Sequence, residues 1–214
     1  MAPQSSKARY AGFAASVASL LLFAWLANEV SQGATLRFDN DVRDTIHTWA
    51  SPPLTAAMRI VTPLGSPRFV ILLSLILIWP LARMGRKRAA LVLTAGAIGA
   101  ELLNELLKLL FHRMRPEPFF GYAEPLSYSF PSGHALCSAC FYGLLAAIET
   151  SRMHSRTAKM LVWAGAACFA VLIGFSRVYL GVHYPTDVIA GYAAAIVWVG
   201  ALRAAYGVWL RRRG

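Results

Sequence analysis

The stretch that decides the fold is residues 89–116, AALVLTAGAIGAELLNELLKLLFHRMRP. Its first part is an apolar run long enough to cross about 30 Å of hydrocarbon as a helix. The run ends with the cations Lys108 and Arg115, and Pro116 fits a chain that has left the helix. The pattern therefore predicts a membrane-spanning helix that carries charged, functional side chains at one of its ends.

The remainder of the chain has the same apolar character. Hydrophobic residues make up 57% of the 214 residues and charged residues 14%, which is about half of what a soluble domain carries. The composition indicates an integral membrane protein with one domain, residues 1–214. We predict an all-α bundle of six membrane-spanning helices, near residues 11–29, 67–83, 89–110, 134–150, 159–176 and 187–208.

The distribution of charge predicts the orientation of this bundle. Six spans put both termini on one side of the membrane, and that side carries thirteen Lys and Arg residues against the single acid Glu149. The rest of the chain carries eight cations and nine acids. Because cytoplasmic loops are enriched in Lys and Arg, both termini are predicted to be cytoplasmic. The net charge of +11 is then mostly topology and does not indicate a nucleic-acid partner.

Three short segments with polar and charged residues fall at the outer ends of the predicted spans. They are Lys108 with Arg115-Pro116, then Pro131-Ser132-Gly133-His134, then Ser176-Arg177 with His183 and Asp187. The topology rests on charges in other loops, yet it places all three segments on one face. They are therefore predicted to form one site at the outer surface of the membrane.

The residue types in these segments suit the transfer of a phosphoryl group. Fixed cations in a partly desolvated pocket stabilise the negative charge of that group, and Lys108, Arg115 and Arg177 are such cations. Ser132 is the predicted N-cap of a helix whose first N–H groups face an anion. Gly133 allows the backbone to approach a phosphate closely.

Two histidines at such a site allow a division of labour. One neutral imidazole can attack phosphorus while the other protonates the departing oxygen. Asp187 follows His183 by four residues, close enough to accept the Nδ1–H of His183 and leave its Nε2 as the nucleophile.

The three segments resemble the type 2 phosphatidic acid phosphatase and vanadium haloperoxidase superfamily. The family pattern is K-x6-R-P, P-S-G-H and S-R-x5-H-x3-D. This chain reads Lys108-LLFHRM-Arg115-Pro116, Pro131-Ser132-Gly133-His134 and Ser176-Arg177-VYLGV-His183-YPT-Asp187, with no departure from the pattern.

The resemblance implies roles for the individual residues. His183 would be the nucleophile that forms a phosphohistidine, Asp187 would hold it, and His134 would be the general acid and then the base. The residues that would bind the phosphoryl oxygens are Lys108, Arg115, Ser132, Gly133 and Arg177. The resemblance also implies that neither a metal nor another cofactor is needed.

The resemblance predicts a lipid phosphatase of the bacterial inner membrane, with its site facing the periplasm or the cell exterior. Candidate substrates are undecaprenyl pyrophosphate, phosphatidylglycerophosphate, phosphatidic acid and lipid A, which the sequence does not separate. A lipid phosphotransferase on the same site is an alternative. Non-enzymatic binding or transport of a lipid head group is another, although the complete set of His183, Asp187 and His134 argues against it. A vanadate haloperoxidase would need a soluble domain for which this chain has little room. The oligomeric state is left open.

The neighbours of the motifs invite further expectations. Asn104 and Glu105 share a helix face with Lys108, and we expect them to hold it in place, with plain interhelical hydrogen bonding as the alternative. For Glu101 the interhelical role is preferred. His112 and Arg113 are expected in a solvated loop.

The segment 31–66 is open to two interpretations. It is either a lid through which substrate enters or a solvated connector with a partly buried turn; Trp49 and an amphipathic pattern place it at the membrane interface. Its His47 has no identifiable partner and is not expected to be catalytic.

The first span is expected to be a retained helix and not a cleaved signal peptide, because its apolar stretch is too long for a signal core. The cysteines, Cys137, Cys140 and Cys168, are expected to pack inside spans without a disulfide.

Overall fold

The computed structural model describes residues 6–122 and 127–211, which form helices joined by turns and loops. The helices are α1 Ser6–Ser31, α2 Leu36–His47, α3 Pro52–Val61, α4 Pro67–Ile76, α5 Ile78–Arg83, α6 Lys87–Phe111, α7 Gly133–Thr150, α8 Arg156–Tyr179 and α9 Pro185–Arg211. A 3-10 turn, Thr62–Gly65, follows α3. The predicted all-α class is confirmed, since the described residues contain no strand.

Four helical stretches are long and apolar enough to cross a membrane. They are Tyr10–Ser31, Lys87–Phe111, Arg156–Tyr179 and Pro185–Tyr206. The chain from Pro52 to Arg83 passes the same test as a single broken unit, bent by 56° between its two halves. α7 packs against α4, α6, α8 and α9. The membrane character is confirmed, whereas the count of six spans and the side of each terminus stay predictions.

The second predicted span is two helices and not one. α4 ends at Ile76, Leu77 forms a turn, and α5 begins at Ile78. Pro80 explains the interruption, because a proline has no N–H to donate to the carbonyl of residue 76.

The core lies between α6, α7 and α9. Leu93 and Ala97 of α6, Leu136 and Phe141 of α7, and Ala194 of α9 are buried in one cluster. The two alanines, Ala97 and Ala194, are small residues that let membrane helices approach closely. Among the cysteines, which are all free thiols, Cys137 and Cys140 are buried in this cluster as expected. The expectation for Cys168 is wrong, because its side chain is exposed on α8.

α1 is part of the packed fold. Its residues Leu26, Ala27 and Val30 are buried in one cluster with Ala190 of α9 and with Phe130 of the loop before α7. Retention of this helix in the mature protein stays a prediction. Arg212 and Arg213, which contribute to the charge asymmetry, lie outside the described residues.

The segment 31–66 is helical. The predicted amphipathic pattern corresponds to α2, whose buried residues Asp39, Arg43 and Ile46 face the protein while Phe38 is exposed. α2 packs against α8 and α9, and α3 packs against α8. The segment consists of two helices that pack on the end of the bundle where the motif segments lie, and whether it acts as a lid or as a connector stays open.

Candidate active site

The three motif segments meet where α6 ends, α7 begins and α8 turns into α9. The backbone N–H of Ser132 donates to the carbonyl of Asp187 at 2.9 Å, which joins the second segment to the third. Nη1 of Arg115 lies 3.0 Å from Nε2 of His183, which joins the first segment to the third. His134 lies within the electrostatic field of Arg177, His183, Lys108 and Arg115. The structure thus brings together all the residues that the motifs single out.

A glycine turn places His183 in this site. Gly181 follows α8 with φ +77°, and a Cβ there would lie 2.5 Å from the backbone nitrogen of Phe119. Only glycine suits a left-handed residue at such a close approach. The next residue, Val182, donates its N–H to the carbonyl of Arg177 at 3.1 Å and turns the chain back. His183 therefore sits below the surface, with a side chain that is 2% exposed.

The partners of His183 identify its tautomer. A guanidinium donates hydrogen bonds and accepts none, so Nε2 of His183 must accept the bond from Arg115. Nδ1 then carries the proton and faces Oδ2 of Asp187 at 3.3 Å. Burial, together with Arg115, Arg177 and Lys108, lowers the pKa of His183 well below its usual value. The imidazole is therefore neutral at neutral pH, with its lone pair on Nε2.

Asp187 has hydrogen-bond partners for both of its carboxylate oxygens. Oδ2 accepts the backbone N–H of Tyr184 at 2.9 Å as well as facing His183. Oδ1 accepts from Nη1 of Arg113 at 2.6 Å. A fully buried carboxylate needs such partners, because an uncompensated charge away from water is very unfavourable. Its position in the first turn of α9 adds the favourable helix dipole.

Lys108 is held directly by Glu105, and Asn104 acts on it only through Glu105. Its Nζ pairs with Oε1 of Glu105 at 2.9 Å, and Nδ2 of Asn104 donates to the same oxygen at 3.0 Å. Asn104 also donates to Oε2 of Glu101 at 3.1 Å. The thiol of Cys137 on α7 contacts that oxygen at 3.7 Å, so Glu101 makes the expected contact between helices.

Ser132 and Gly133 form the N-terminus of α7. Ser132 is the N-cap residue, as predicted, but its side chain makes no capping bond. Its Oγ is buried and has no hydrogen-bond partner among the described residues. A Cβ on Gly133 would lie 2.8 Å from Nδ2 of Asn104, so the turn needs a glycine in order to pass α6. The result is a helix N-terminus with a buried hydroxyl available to an anion.

Arg115 and Arg177 are oriented by neighbouring oxygen acceptors. Nε of Arg115 donates to the carbonyl of Ser127 at 2.8 Å, and its Nη1 donates to the carbonyl of Val182 at 3.0 Å. Nη1 of the fully buried Arg177 donates to Oγ1 of Thr62 at 2.8 Å. The two guanidinium groups are therefore fixed in direction before any ligand arrives.

The expectation that Arg113 lies in a solvated loop is wrong. Its side chain is 8% exposed and forms ion pairs with Asp187 and, at 2.7 Å, with Asp39 of α2. Sequence reasoning missed both Arg113 and Asp39; a second arginine inside the x6 stretch was the only available signal. His112 is exposed, as expected, and His47 stacks on Phe119 with ring centroids 4.0 Å apart.

Comparison with known proteins identifies the family. The family described as the PAP2 superfamily matches residues 89–211, a range that contains the three motif segments. The chain is 32% identical to phosphatidylglycerophosphatase B of Bacillus subtilis over 183 residues, which are 85% of this chain and 89% of that protein. It is 33% identical to undecaprenyl-diphosphatase of Sulfolobus acidocaldarius over 111 residues, 50% of each protein.

The fold agrees with this assignment. The crystal structure of a transmembrane PAP2-type phosphatidylglycerolphosphate phosphatase from Bacillus subtilis matches with a TM-score of 0.83 and 29% identity, covering 90% of this chain and 96% of that one. The resemblance that the motifs indicate is therefore confirmed, and this chain belongs to the PAP2 superfamily.

Proposed function

We propose that this protein is a metal-independent lipid phosphatase that hydrolyses a lipid phosphate or pyrophosphate through a phosphohistidine on His183. The observation that carries the proposal is the pair of contacts on one imidazole. Arg115 faces the unprotonated Nε2, and Asp187 faces Nδ1. The relatives named above are phosphatases of lipid phosphates, in agreement with this chemistry.

In the first step, Nε2 of His183 attacks phosphorus and the bond from phosphorus to the lipid oxygen breaks. His134 donates a proton to that oxygen, so the lipid leaves as an alcohol or a monophosphate. Asp187 stabilises the imidazole, which becomes positively charged as the N–P bond forms.

In the second step, water attacks the phosphohistidine. His134, now neutral, accepts a proton from the water, and the N–P bond breaks to release inorganic phosphate and restore His183. The same group thus serves as acid and then as base.

The binding of the phosphoryl oxygens falls to groups that are already in place. The cations are Lys108, Arg115 and Arg177, and the N-terminus of α7 adds the Oγ of Ser132 and the N–H groups near Gly133. Donors that are aimed before reaction stabilise developing charge without reorganising at the moment of transfer. The hydrogen bonds that Glu105 and Asn104 make around Lys108 support this preorganisation.

Phosphatidylglycerophosphate is the first substrate to test, because phosphatidylglycerophosphatase B of Bacillus subtilis aligns with this chain over most of both proteins. Undecaprenyl pyrophosphate is the second, because an undecaprenyl-diphosphatase aligns over the part that contains the motifs. Both present a phosphoryl group at the membrane surface with an apolar chain attached.

We further propose a bacterial inner-membrane location with six spans, both termini in the cytoplasm and the site at the outer face. In support, the motif residues lie at one end of α6 and α8, whereas Lys87 and Arg156 begin those helices at the other end. Accessibility of single cysteines to a membrane-impermeant reagent tests the orientation. A cysteine in the loop after α5 that labels from outside intact cells would overturn it.

Phosphate release from purified protein tests the activity. The wild type should release phosphate from at least one lipid phosphate or pyrophosphate in the presence of EDTA, and His183→Ala should not. His112→Ala is the matched control, because the His112 side chain is exposed and packs against Tyr128, and only its backbone N–H bonds to a motif residue, the carbonyl of Lys108. Loss of wild-type activity in EDTA would overturn the metal-independent mechanism. Transfer to a second lipid without free phosphate would favour the phosphotransferase.

A further inference from the structure

Arg113 joins two buried carboxylates that come from different parts of the chain. Its Nη1 donates to Oδ1 of Asp187 at 2.6 Å, and its Nη2 donates to Oδ2 of Asp39 at 2.7 Å. Both carboxylates are fully buried. The ring of Tyr184 lies under the guanidinium, with its centroid 4.0 Å away. Arg113 is thus fixed in the plane that contains the two acids.

The charges in this cluster depend on one another. Burial alone would lower the pKa of Arg113, but the carboxylates of Asp187 and Asp39 raise it, so the guanidinium stays charged. Removing one partner of a buried ion pair leaves the other charge uncompensated. Arg113 therefore offsets the burial of Asp187, and Asp39 offsets the burial of Arg113.

Asp39 also holds the backbone that carries Asp187. Its Oδ1 accepts the N–H of Thr186 at 3.0 Å, and its Oδ2 accepts the Thr186 hydroxyl at 2.7 Å. Thr186 lies in the first turn of α9, directly before Asp187. A second link runs from α2 to the same loop, since Nη2 of Arg43 donates to the carbonyl of Gly181 at 3.2 Å. α2 therefore supports the segment on both sides of His183.

These contacts fix the orientation of the Asp187 carboxylate relative to the imidazole of His183. Because Oδ1 is engaged by Arg113, the carboxylate cannot rotate, and Oδ2 is left for Tyr184 and His183. Neither Arg113 nor Asp39 makes a contact with His183 or with a phosphate-binding side chain that we describe. Their side chains reach the imidazole through Asp187 and the adjoining backbone of Thr186.

We propose that Arg113 and Asp39 are positioning residues, which hold Asp187 in the orientation that keeps the proton of His183 on Nδ1 and its lone pair on Nε2. This inference rests on the proposed role of His183 as the nucleophile. It adds two residues to the machinery that lie outside the motif positions.

The test compares kcat and KM for phosphate release from phosphatidylglycerophosphate. Arg113→Gln should lower kcat by about 10–100-fold, the size typical of residues that orient a functional side chain, and should leave KM within about twofold. Arg113→Lys keeps the charge without the two-pronged geometry and should recover part of the loss. A normal kcat in Arg113→Gln, or a raised KM with a normal kcat, would overturn the inference.

Asp39→Asn should also lower kcat, and the double variant Asp39→Asn/Arg113→Gln should lose less than the product of the two single losses, because both side chains act on Asp187. If the kcat loss of the double variant equalled the product of the two single losses, the inference that both residues act on Asp187 would be overturned. Asp41→Asn is the matched control on α2, since Asp41 pairs with Arg37 and its side chain is 72% exposed. It should behave as the wild type. Should Arg113→Gln fail to fold, Arg113→Lys and Asp39→Asn carry the same comparison, with melting temperatures measured alongside.

Binding of inorganic orthovanadate, measured by calorimetry, separates this inference from the proposed function. Vanadate mimics a phosphoryl group in transfer and needs an unprotonated Nε2 at the site. It should bind the wild type and Asp41→Asn alike, and Arg113→Gln about tenfold or more weakly. Equal binding by wild type and Arg113→Gln would overturn the positioning role alone. No binding by the wild type, with no phosphate release, would overturn the proposed function and this inference with it.

Discussion

Nη1 of Arg115 lies 3.0 Å from Nε2 of His183, and this contact fixes which imidazole nitrogen carries the proton. A guanidinium is a donor only, so the lone pair of Nε2 points at a cation. The same cation attracts the oxygens of a phosphoryl group. In the proposed mechanism, Arg115 would therefore guide phosphorus to Nε2 of His183 and also oppose protonation of that nitrogen.

The first prediction concerns the acid limb of kcat/KM, which reports groups on the free enzyme. The imidazole must be neutral to attack, and burial with three nearby cations lowers the pKa of His183. We expect the limb that belongs to His183 to lie below about 6.5, the ordinary histidine value. Arg115→Gln removes one of those cations, so the limb should move to higher pH.

Arg115→Lys is the control for this prediction, because it keeps the positive charge. Its limb should stay near that of the wild type, and titration of the substrate phosphate cancels when variants are compared on one substrate. A limb at the same pH in the Gln and Lys variants would contradict the assignment.

The lowered pKa of His183 also predicts how the stability of the protein depends on pH. Below about pH 6.5 the unfolded chain binds a proton at His183 that the folded chain does not. The free energy of unfolding therefore decreases as the pH is lowered through that range.

The second prediction concerns the hydroxyl of Ser132. Its Oγ is buried without a partner among the described residues, so Ser132→Ala removes no hydrogen bond from the free protein. We expect the variant to be as stable as the wild type or more stable by about 1 kcal/mol, because an unsatisfied buried polar group is unfavourable. Activity should fall by about 100-fold, the usual effect of losing one donor to a developing oxyanion.

Ser138→Ala tests whether that loss is specific. Ser138 is also buried in α7, and its Oγ donates to the carbonyl of Ala135 at 3.3 Å. This variant should keep its activity. A Ser132→Ala protein that is destabilised and fully active would show that the hydroxyl has a structural and not a ligand-binding role.

Parts of this site were predictable from the sequence because the contacts are local. Asn104, Glu105 and Lys108 fall within about one helical turn, so helix periodicity alone places them on one face. Asp187 follows His183 by only four residues, so a local turn before α9 is enough to bring the two side chains into contact. These relationships survive any error in how the helices are arranged.

The rest depends on tertiary structure. Arg113 and Asp39 are separated by 74 residues, and no periodicity relates a loop to a distant surface helix. Cys168 shows a second limit: lipid and protein core are both apolar, so an apolar helix does not reveal which face it buries. The loop position of Arg113 was predictable, but its burial was not.

The third prediction concerns the contact between α7 and α6 at Gly133. In Gly133→Ala the new methyl group would lie 2.8 Å from Nδ2 and 2.9 Å from Oδ1 of Asn104. Overpacking of this kind costs about 1–3 kcal/mol, so the melting temperature should fall. Because Asn104 also bonds to Glu105, displacement of its amide should disturb Lys108 and lower activity as well.

Gly143→Ala is the matched control on the same helix, since nothing lies within 4 Å of a Cβ there. It should be neutral or slightly stabilising, because alanine favours a helix over glycine by about 1 kcal/mol. Adding Asn104→Ala to Gly133→Ala should restore much of the melting temperature without restoring activity. Equal melting temperatures for the two single glycine variants would refute the close approach.

The fourth prediction separates the two roles of His134. An aliphatic lipid alcohol must be protonated as it leaves, whereas p-nitrophenolate departs without a proton. His134→Ala should therefore be impaired in both steps with a lipid phosphate, but only in the hydrolysis of the phosphohistidine with p-nitrophenyl phosphate. Rapid mixing of p-nitrophenyl phosphate with this variant should give a burst of about one p-nitrophenolate per site, followed by slow turnover, which is the kinetic sign of a covalent intermediate.

His183→Ala provides the comparison, because without the nucleophile no burst can form. An acid-labile, base-stable phosphate label on the His134→Ala protein, absent from the His183→Ala protein, would identify the intermediate as a phosphohistidine. If His134→Ala were slowed equally with p-nitrophenyl phosphate and lipid phosphate and gave no burst, His134 would not be the base of the second step. Its place within the electrostatic influence of Arg177, Lys108 and Arg115 would then be explained by ligand binding alone.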